Sequence, residues 1–192
     1  MKNIENNTAF KAAFDRGVNA FKQNSYKRAV ALFTEAIDIY PSFANTYVNR
    51  AACYFNIGKL KKAIGDYTKA IAIDPKLALA YYRRGLLYYK LNCHSKAIDD
   101  LTQTIKHNIK LPLAYYRRGI LYSKLGDHLK AVEDFTRAIY IDPDYANAYY
   151  VRGCLYGELD DLKNATLDAR KACDLGDCDL LKYMGQNGYI RD

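Results

Sequence analysis

The chain has 192 residues, half of them hydrophobic, with 19 tyrosines, 11 glycines and only 4 prolines, which favours an ordered helical protein over a disordered or sheet-rich one. Its formal net charge of +8 is unevenly spread: residues 1–96 hold 16 Lys/Arg against 6 Asp/Glu, and residues 97–192 hold 13 against 15. That asymmetry suits an acidic partner at one end, and the absence of any apolar run of about 18 residues argues against membrane insertion.

Residues 1–9 are polar and asparagine-rich, read as a frayed lead-in. From Phe10 the sequence falls into rows of 34 residues without a gap: 10–43, 44–77, 78–111, 112–145 and a fifth over 146–178. The period is clearest in Ala80, Tyr81, Tyr82, Arg83, Arg84, Gly85, which returns as Ala114, Tyr115, Tyr116, Arg117, Arg118, Gly119. Each row contains two apolar-periodic stretches around a short polar break at residues 23–25, 57–59, 91–93, 125–127 and 159–161, and so predicts helix A, turn, helix B. Pro41, Pro75 and Pro143 close three rows, because proline cannot continue helix B and pushes the preceding residue out of the helical region. The third row has Ile109 in that place, so a local bend is expected at residues 107–110. Residues 179–192 form a cap and tail, with Leu180, Leu181 and Tyr183 on a short amphipathic helix stopped by Gly185.

Columns read down the rows separate scaffold from candidate function. The eighth column is Gly17, Ala51, Gly85, Gly119, Gly153 and the twentieth is Ala29, Ala63, Ala97, Ala131, Ala165, small residues that let two helices approach closely. Arg16, Arg50, Arg84, Arg118 and Arg152 recur at the seventh column, and Asp66, Asp100, Asp134 and Asp168 at the twenty-third. A feature repeated in every row is scaffold rather than ligand site, so these predict a structural ion pair with the arginine stems packed.

The aromatic, Gly, Tyr, Ala, Phe, Ala and Pro positions, best seen as Tyr115, Gly119, Tyr122, Ala131, Phe135, Ala138 and Pro143, resemble the tetratricopeptide repeat over residues 10–178. The end of the fifth row, Ala172, Cys173, Asp174, Leu175, Gly176, Asp177, looks like the closing repeat of many bacterial members. The resemblance implies an all-α, right-handed α-solenoid of five repeats plus a short C-terminal capping helix, stacked continuously. It also implies a concave wall built by the A helices. There the columns vary, and they give a peptide-binding groove of Phe14, Asn49, Phe55, Tyr82, Arg83, Tyr89, Lys90, Tyr116, Arg117, Lys124 and Tyr150. Aromatic faces and forked donors suit carboxylates, so the expected partner is a protein or peptide with acidic and hydrophobic residues. A chaperone-tail clamp would want Lys, Asn, Asn, Lys and Arg where this chain has Phe14, Val18, Asn49, Leu79 and Arg83, and only Asn49 and Arg83 fit.

Other classes fare worse. Cys53, Cys93, Cys154, Cys173 and Cys178 are odd in number and lack CxxC spacing, which predicts reduced thiols and a cytoplasmic protein. His94 and His128 share a column and read as packing, with no metal-ligand spacing. There is no glycine-rich phosphate loop, HExxH or GxSxG, so neither enzyme nor cofactor is expected. Nucleic-acid binding is the alternative that charge and tyrosines raise, but the basic excess is spread over both helices of the repeat, which disfavours it. Self-assembly into a homo-oligomer is a further alternative.

Overall fold

The computed structural model describes residues 2–108 and 110–189, with side chains from Thr8 onward. Eleven α-helices and no strand occur among the described residues, an all-α chain of the α-solenoid class. It divides into two compact units, Met1–His107 and Asn108–Asp192. The first contains the pairs α1 (Lys2–Lys22) with α2 (Tyr26–Ile39), α3 (Ala44–Asn56) with α4 (Leu60–Ile73), and α5 (Ala78–Lys90) with α6 (His94–His107). The second contains α7 (Pro112–Lys124) with α8 (His128–Ile141), α9 (Ala146–Glu158) with α10 (Leu162–Asp174), and the cap α11 (Asp179–Gln186). Helices therefore fall where the 34-residue rows place them. The lead-in differs, because the backbone of α1 is already helical from Lys2. The bend expected at residues 107–110 includes Ile109, which lies outside the described residues. No described helix is long and apolar enough to cross a membrane.

One turn chemistry is used five times. Asn24, Gly58, Asn92, Gly126 and Asp160, all in the fifteenth column, have φ between 57° and 78°. Glycine adopts that left-handed conformation freely and Asn or Asp at modest cost. At each turn the next residue donates back to the eleventh column, as in Ser25 N–H to Ala20 C=O and Asp127 N–H to Tyr122 C=O, both at 2.9 Å. This is the bonding of a Schellman stop, which satisfies carbonyls that would otherwise be orphaned at the end of helix A. Helix B ends at Tyr40, Asp74 and Asp142, each followed by the proline that forbids continuation.

Small residues set the seam between paired helices. Ala29, Ala63, Ala97, Ala131 and Ala165 are at most 1 % exposed. A methyl group on Gly119 would lie 2.8 Å from Cε1 of Phe135, and one on Gly17 2.7 Å from Cε1 of Phe33, so the aromatic of helix B rests on the bare backbone of helix A.

The predicted arginine–aspartate pair is present four times. In Arg50–Asp66, Arg84–Asp100, Arg118–Asp134 and Arg152–Asp168, Nε and one terminal nitrogen each donate to a different carboxylate oxygen at 2.8 Å. Each guanidinium also lies 5.7–5.9 Å from the ring centres of the tyrosines three before and four after it on its own helix. The hydrogen bonds that Arg50 and Arg84 donate to Asp66 and Asp100 hold both arginines above the ordinary guanidinium range. A third nitrogen reaches into the preceding repeat, from Arg50 to Thr34, Arg84 to Thr68 and Arg152 to Thr136, at 2.8–3.0 Å. One side chain thus ties helix A to helix B and to the helix before it. The first row has leucine where the others have aspartate, and Arg16 instead meets an exposed Glu35 at 3.8 Å.

Candidate functional site

In the first unit a cavity of about 350 Å³ opens among α1, α3, α4 and α5. Val48, Asn49, Ala52, Phe55 and Asn56 line it from α3, spaced by three and four so that one helix face carries them all. Leu79, Arg83, Leu86 and Leu87 do the same from α5, while Phe21 and Tyr67 complete the wall. Phe55 is 42 % and Leu79 46 % exposed, so apolar surface is offered to a visitor rather than spent on the core. Lys90 stands with its Nζ 5.3 Å from the centre of the Phe55 ring. Burial pushes the Tyr67 hydroxyl up to about 12 against the opposing charge of Arg83, so Tyr67 enters the site as a neutral phenol. The arrangement offers one forked cation, the amides of Asn49 and Asn56, a second cation on an aromatic face and apolar walls. A carboxylate flanked by aliphatic or aromatic groups matches that chemistry.

Of the predicted groove residues, the first unit brings Asn49, Phe55, Arg83 and Lys90 together. Phe14 lies elsewhere, inside an aromatic cluster with Phe10, Phe33 and Phe43 at centroid distances of 5.7–5.8 Å. Tyr82 is half-buried and Tyr89, also half-buried, faces the His94 ring at 6.3 Å; neither lines the cavity. In the second unit Tyr116 packs on Phe135 and Tyr145, with Arg117 5.9 Å above its ring, and Lys124 is exposed. Tyr150 lines a separate cavity of about 480 Å³ beneath α11, together with Cys154, Glu158, Leu180 and Met184. Column reasoning passed over Leu79, Leu86 and Tyr67. The first two occupy the second and ninth columns, which the resemblance also implies to be concave but which are apolar in this row, and Tyr67 comes from helix B.

The cysteines require a correction. Cys173 and Cys178 form a disulfide, while Cys53, Cys93 and Cys154 are free. The Schellman stop after α10, with Gly176 at φ 100° and Asp177 N–H donating to Ala172 C=O, turns the chain back on itself and brings the two thiols face to face without CxxC spacing. Burial pushes the Cys53 thiol up to about 11, so it is inert. Among the described residues no group of His, Cys, Asp and Glu is placed to hold a metal ion.

Family models described as tetratricopeptide repeat match residues 32–65, 112–145 and 146–175, and one described as TPR repeat matches residues 53–92. The crystal structure of MamA is 26 % identical, with a TM-score of 0.78 over 83 % of this chain and 93 % of its own. YrrB, described as a TPR protein with an unusual peptide-binding site, has a TM-score of 0.77 at 21 % identity over 91 % of this chain and 90 % of its own. Hsp70-Hsp90 organizing protein 1 of Glycine max is 44 % identical over 48 residues, 25 % of this chain, and the match spans only 8 % of that protein.

Proposed function

Because this chain belongs to the tetratricopeptide-repeat family, we propose that it is a non-catalytic scaffold holding a peptide segment of a partner protein in the groove of its first unit. The observation that carries this reading is the convergence of Asn49, Phe55 and Arg83 on one apolar-walled cavity. The bound segment has an acidic residue beside an aromatic or aliphatic one. Arg83 takes the carboxylate through two parallel hydrogen bonds, Asn49 contributes an amide, and Phe55 with Leu79 receives the apolar neighbour. A protein of the same fold, YrrB, is described as having a peptide-binding site, which supports the groove as a place for a chain to lie. Leu79 is incompatible with a chaperone-tail clamp of the two-lysine kind, because an aliphatic side chain offers no charge to a terminal carboxylate. The second unit adds Tyr116, Arg117 and Lys124 as a separate aromatic-basic surface. Cytoplasmic residence belongs to the same proposal; the free Cys53, Cys93 and Cys154 support it and the Cys173–Cys178 disulfide counts against it.

Selection of a random displayed peptide library on the whole chain tests the reading. The selected sequences carry Asp or Glu next to an apolar residue, and Arg83→Glu weakens their binding by about 1.5–3 kcal/mol, one charge-assisted hydrogen-bonded contact, without loss of helicity. Selected peptides lacking acidic residues and bound equally by the variant would refute it.

A further inference from the structure

The cavity of the second unit has the opposite chemistry to the groove of the first. Its origin is visible in the columns. The twelfth position reads Phe21, Phe55, Tyr89, Ser123 and then Gly157, and the thirteenth reads Lys22, Asn56, Lys90, Lys124 and then Glu158. The aromatic of the first three rows shrinks to serine and then to glycine, and in the last row alone the thirteenth position is acidic. A methyl group on Gly157 would meet no atom within 4 Å, so the missing side chain leaves open space, part of a cavity of about 480 Å³. Leu180 and Met184, 7 % and 3 % exposed, give it an apolar floor. Tyr183 and Tyr189 stand at the rim, 56 % and 49 % exposed, with ring centres 6.5 Å apart and planes 32° from parallel. Glu158 and Asp160 join the lining, and no lysine or arginine does so among the described residues. The local field is negative: burial first, then Glu158 and Asp177, raise the Cys154 thiol, and Cys154 first, with Asp177 and Asp179, raises the Tyr150 hydroxyl.

We propose that this cavity receives the side chain of an arginine from a partner polypeptide. Tyrosine faces attract a cation within about 6 Å of the ring centre, and guanidinium, planar and weakly hydrated, stacks on them better than ammonium. Its fork can divide between the exposed Glu158 and Asp160 while the aliphatic stem lies over Leu180 and Met184. The site is independent of the groove in the first unit and stands or falls without it.

The test is an NMR titration of the whole chain with the capped peptide Gly-Ser-Arg-Ser-Gly and its counterpart carrying citrulline, which keeps the shape and removes the charge. The arginine peptide is expected to bind saturably and shift the resonances of Cys154, Gly157 and Tyr183, with the citrulline peptide weaker by roughly tenfold. The exposed double variant Glu158→Gln, Asp160→Asn is expected to lose a similar factor. Gly157→Phe supplies the aromatic of the first three repeats, fills the open space and abolishes binding while leaving the circular dichroism spectrum unchanged. Equal shifts from both peptides, or no saturable shift at those residues up to millimolar peptide, would overturn the proposal. So would shifts at those residues that grow with protein concentration in the absence of peptide, since the occupant would then be a second copy of the chain.

Discussion

Gly119 and Gly65 are both glycines inside helices, and they call for opposite treatment. The first has Phe135, 1 % exposed, 2.8 Å from where a Cβ would sit; the second has nothing within 4 Å. Gly119→Ala should therefore cost about 1–3 kcal/mol through overpacking, whereas Gly65→Ala should gain about 0.5–1 kcal/mol from helix propensity, both read from urea unfolding. The same scale decides the arginine ladder. Asp100→Ala removes the partner of a guanidinium that is only 16 % exposed, and should destabilise by about 3 kcal/mol in the same experiment. The Arg and Asp columns were legible because both recur and their charges are opposite. Thr34, Thr68 and Thr136 recur just as regularly, but a hydroxyl carries no charge to match, so the third hydrogen bond of Arg50, Arg84 and Arg152 was not foreseen.

Helices were readable to within a residue or two where glycine, asparagine or proline ends them, because those residues act through the backbone alone. Two elements carry predictions of their own. Asp127 and Asp161 cap α8 and α10 by accepting the backbone N–H of Lys130 and Asn164. The side-chain hydrogen bond from Lys130 in one case and from Asn164 in the other holds each carboxyl below the usual range. A depressed native pKa means that the stabilisation is complete above the unfolded value, about pH 4, and is lost as pH falls through the native one. Thermal melts between pH 2 and 6 should accordingly show a shallower acid limb for Asp127→Asn with Asp161→Asn, since asparagine caps without titrating. The second element is α11, tied to the end of α10 by Cys173–Cys178. Replacing both cysteines by serine removes a short loop constraint worth about 2 kcal/mol, and amide exchange should quicken in α11 while the core of the first unit is unchanged. Sequence spacing could not reveal that bridge, because it depends on how the Schellman stop at Gly176 redirects the chain.

At the scale of the molecule, charge and cavities agree. The first 96 residues carry the basic excess and hold the cavity lined by Arg83, while the acidic end holds the cavity lined by Glu158 and Asp160. Of the eleven residues that line the first cavity, the variable columns offered Asn49, Phe55 and Arg83, with Lys90 beside Phe55. Phe14 could not be read that way, since its ring packs on Phe10, Phe33 and Phe43, and the later rows have Ala44, Ala78, Pro112 and Ala146 in the column of Phe10. The boundary between the two units follows His107, in the one internal row whose closing proline is absent. The central claim is that Arg83 holds a carboxylate of the bound segment, and a double-mutant cycle by calorimetry tests it most directly. A selected peptide and its Asp→Asn form would each be titrated into the native chain and into Arg83→Met. We predict a coupling energy of about 1.5–3 kcal/mol between Arg83 and that aspartate. A coupling of zero, with each change weakening binding independently of the other, would contradict it.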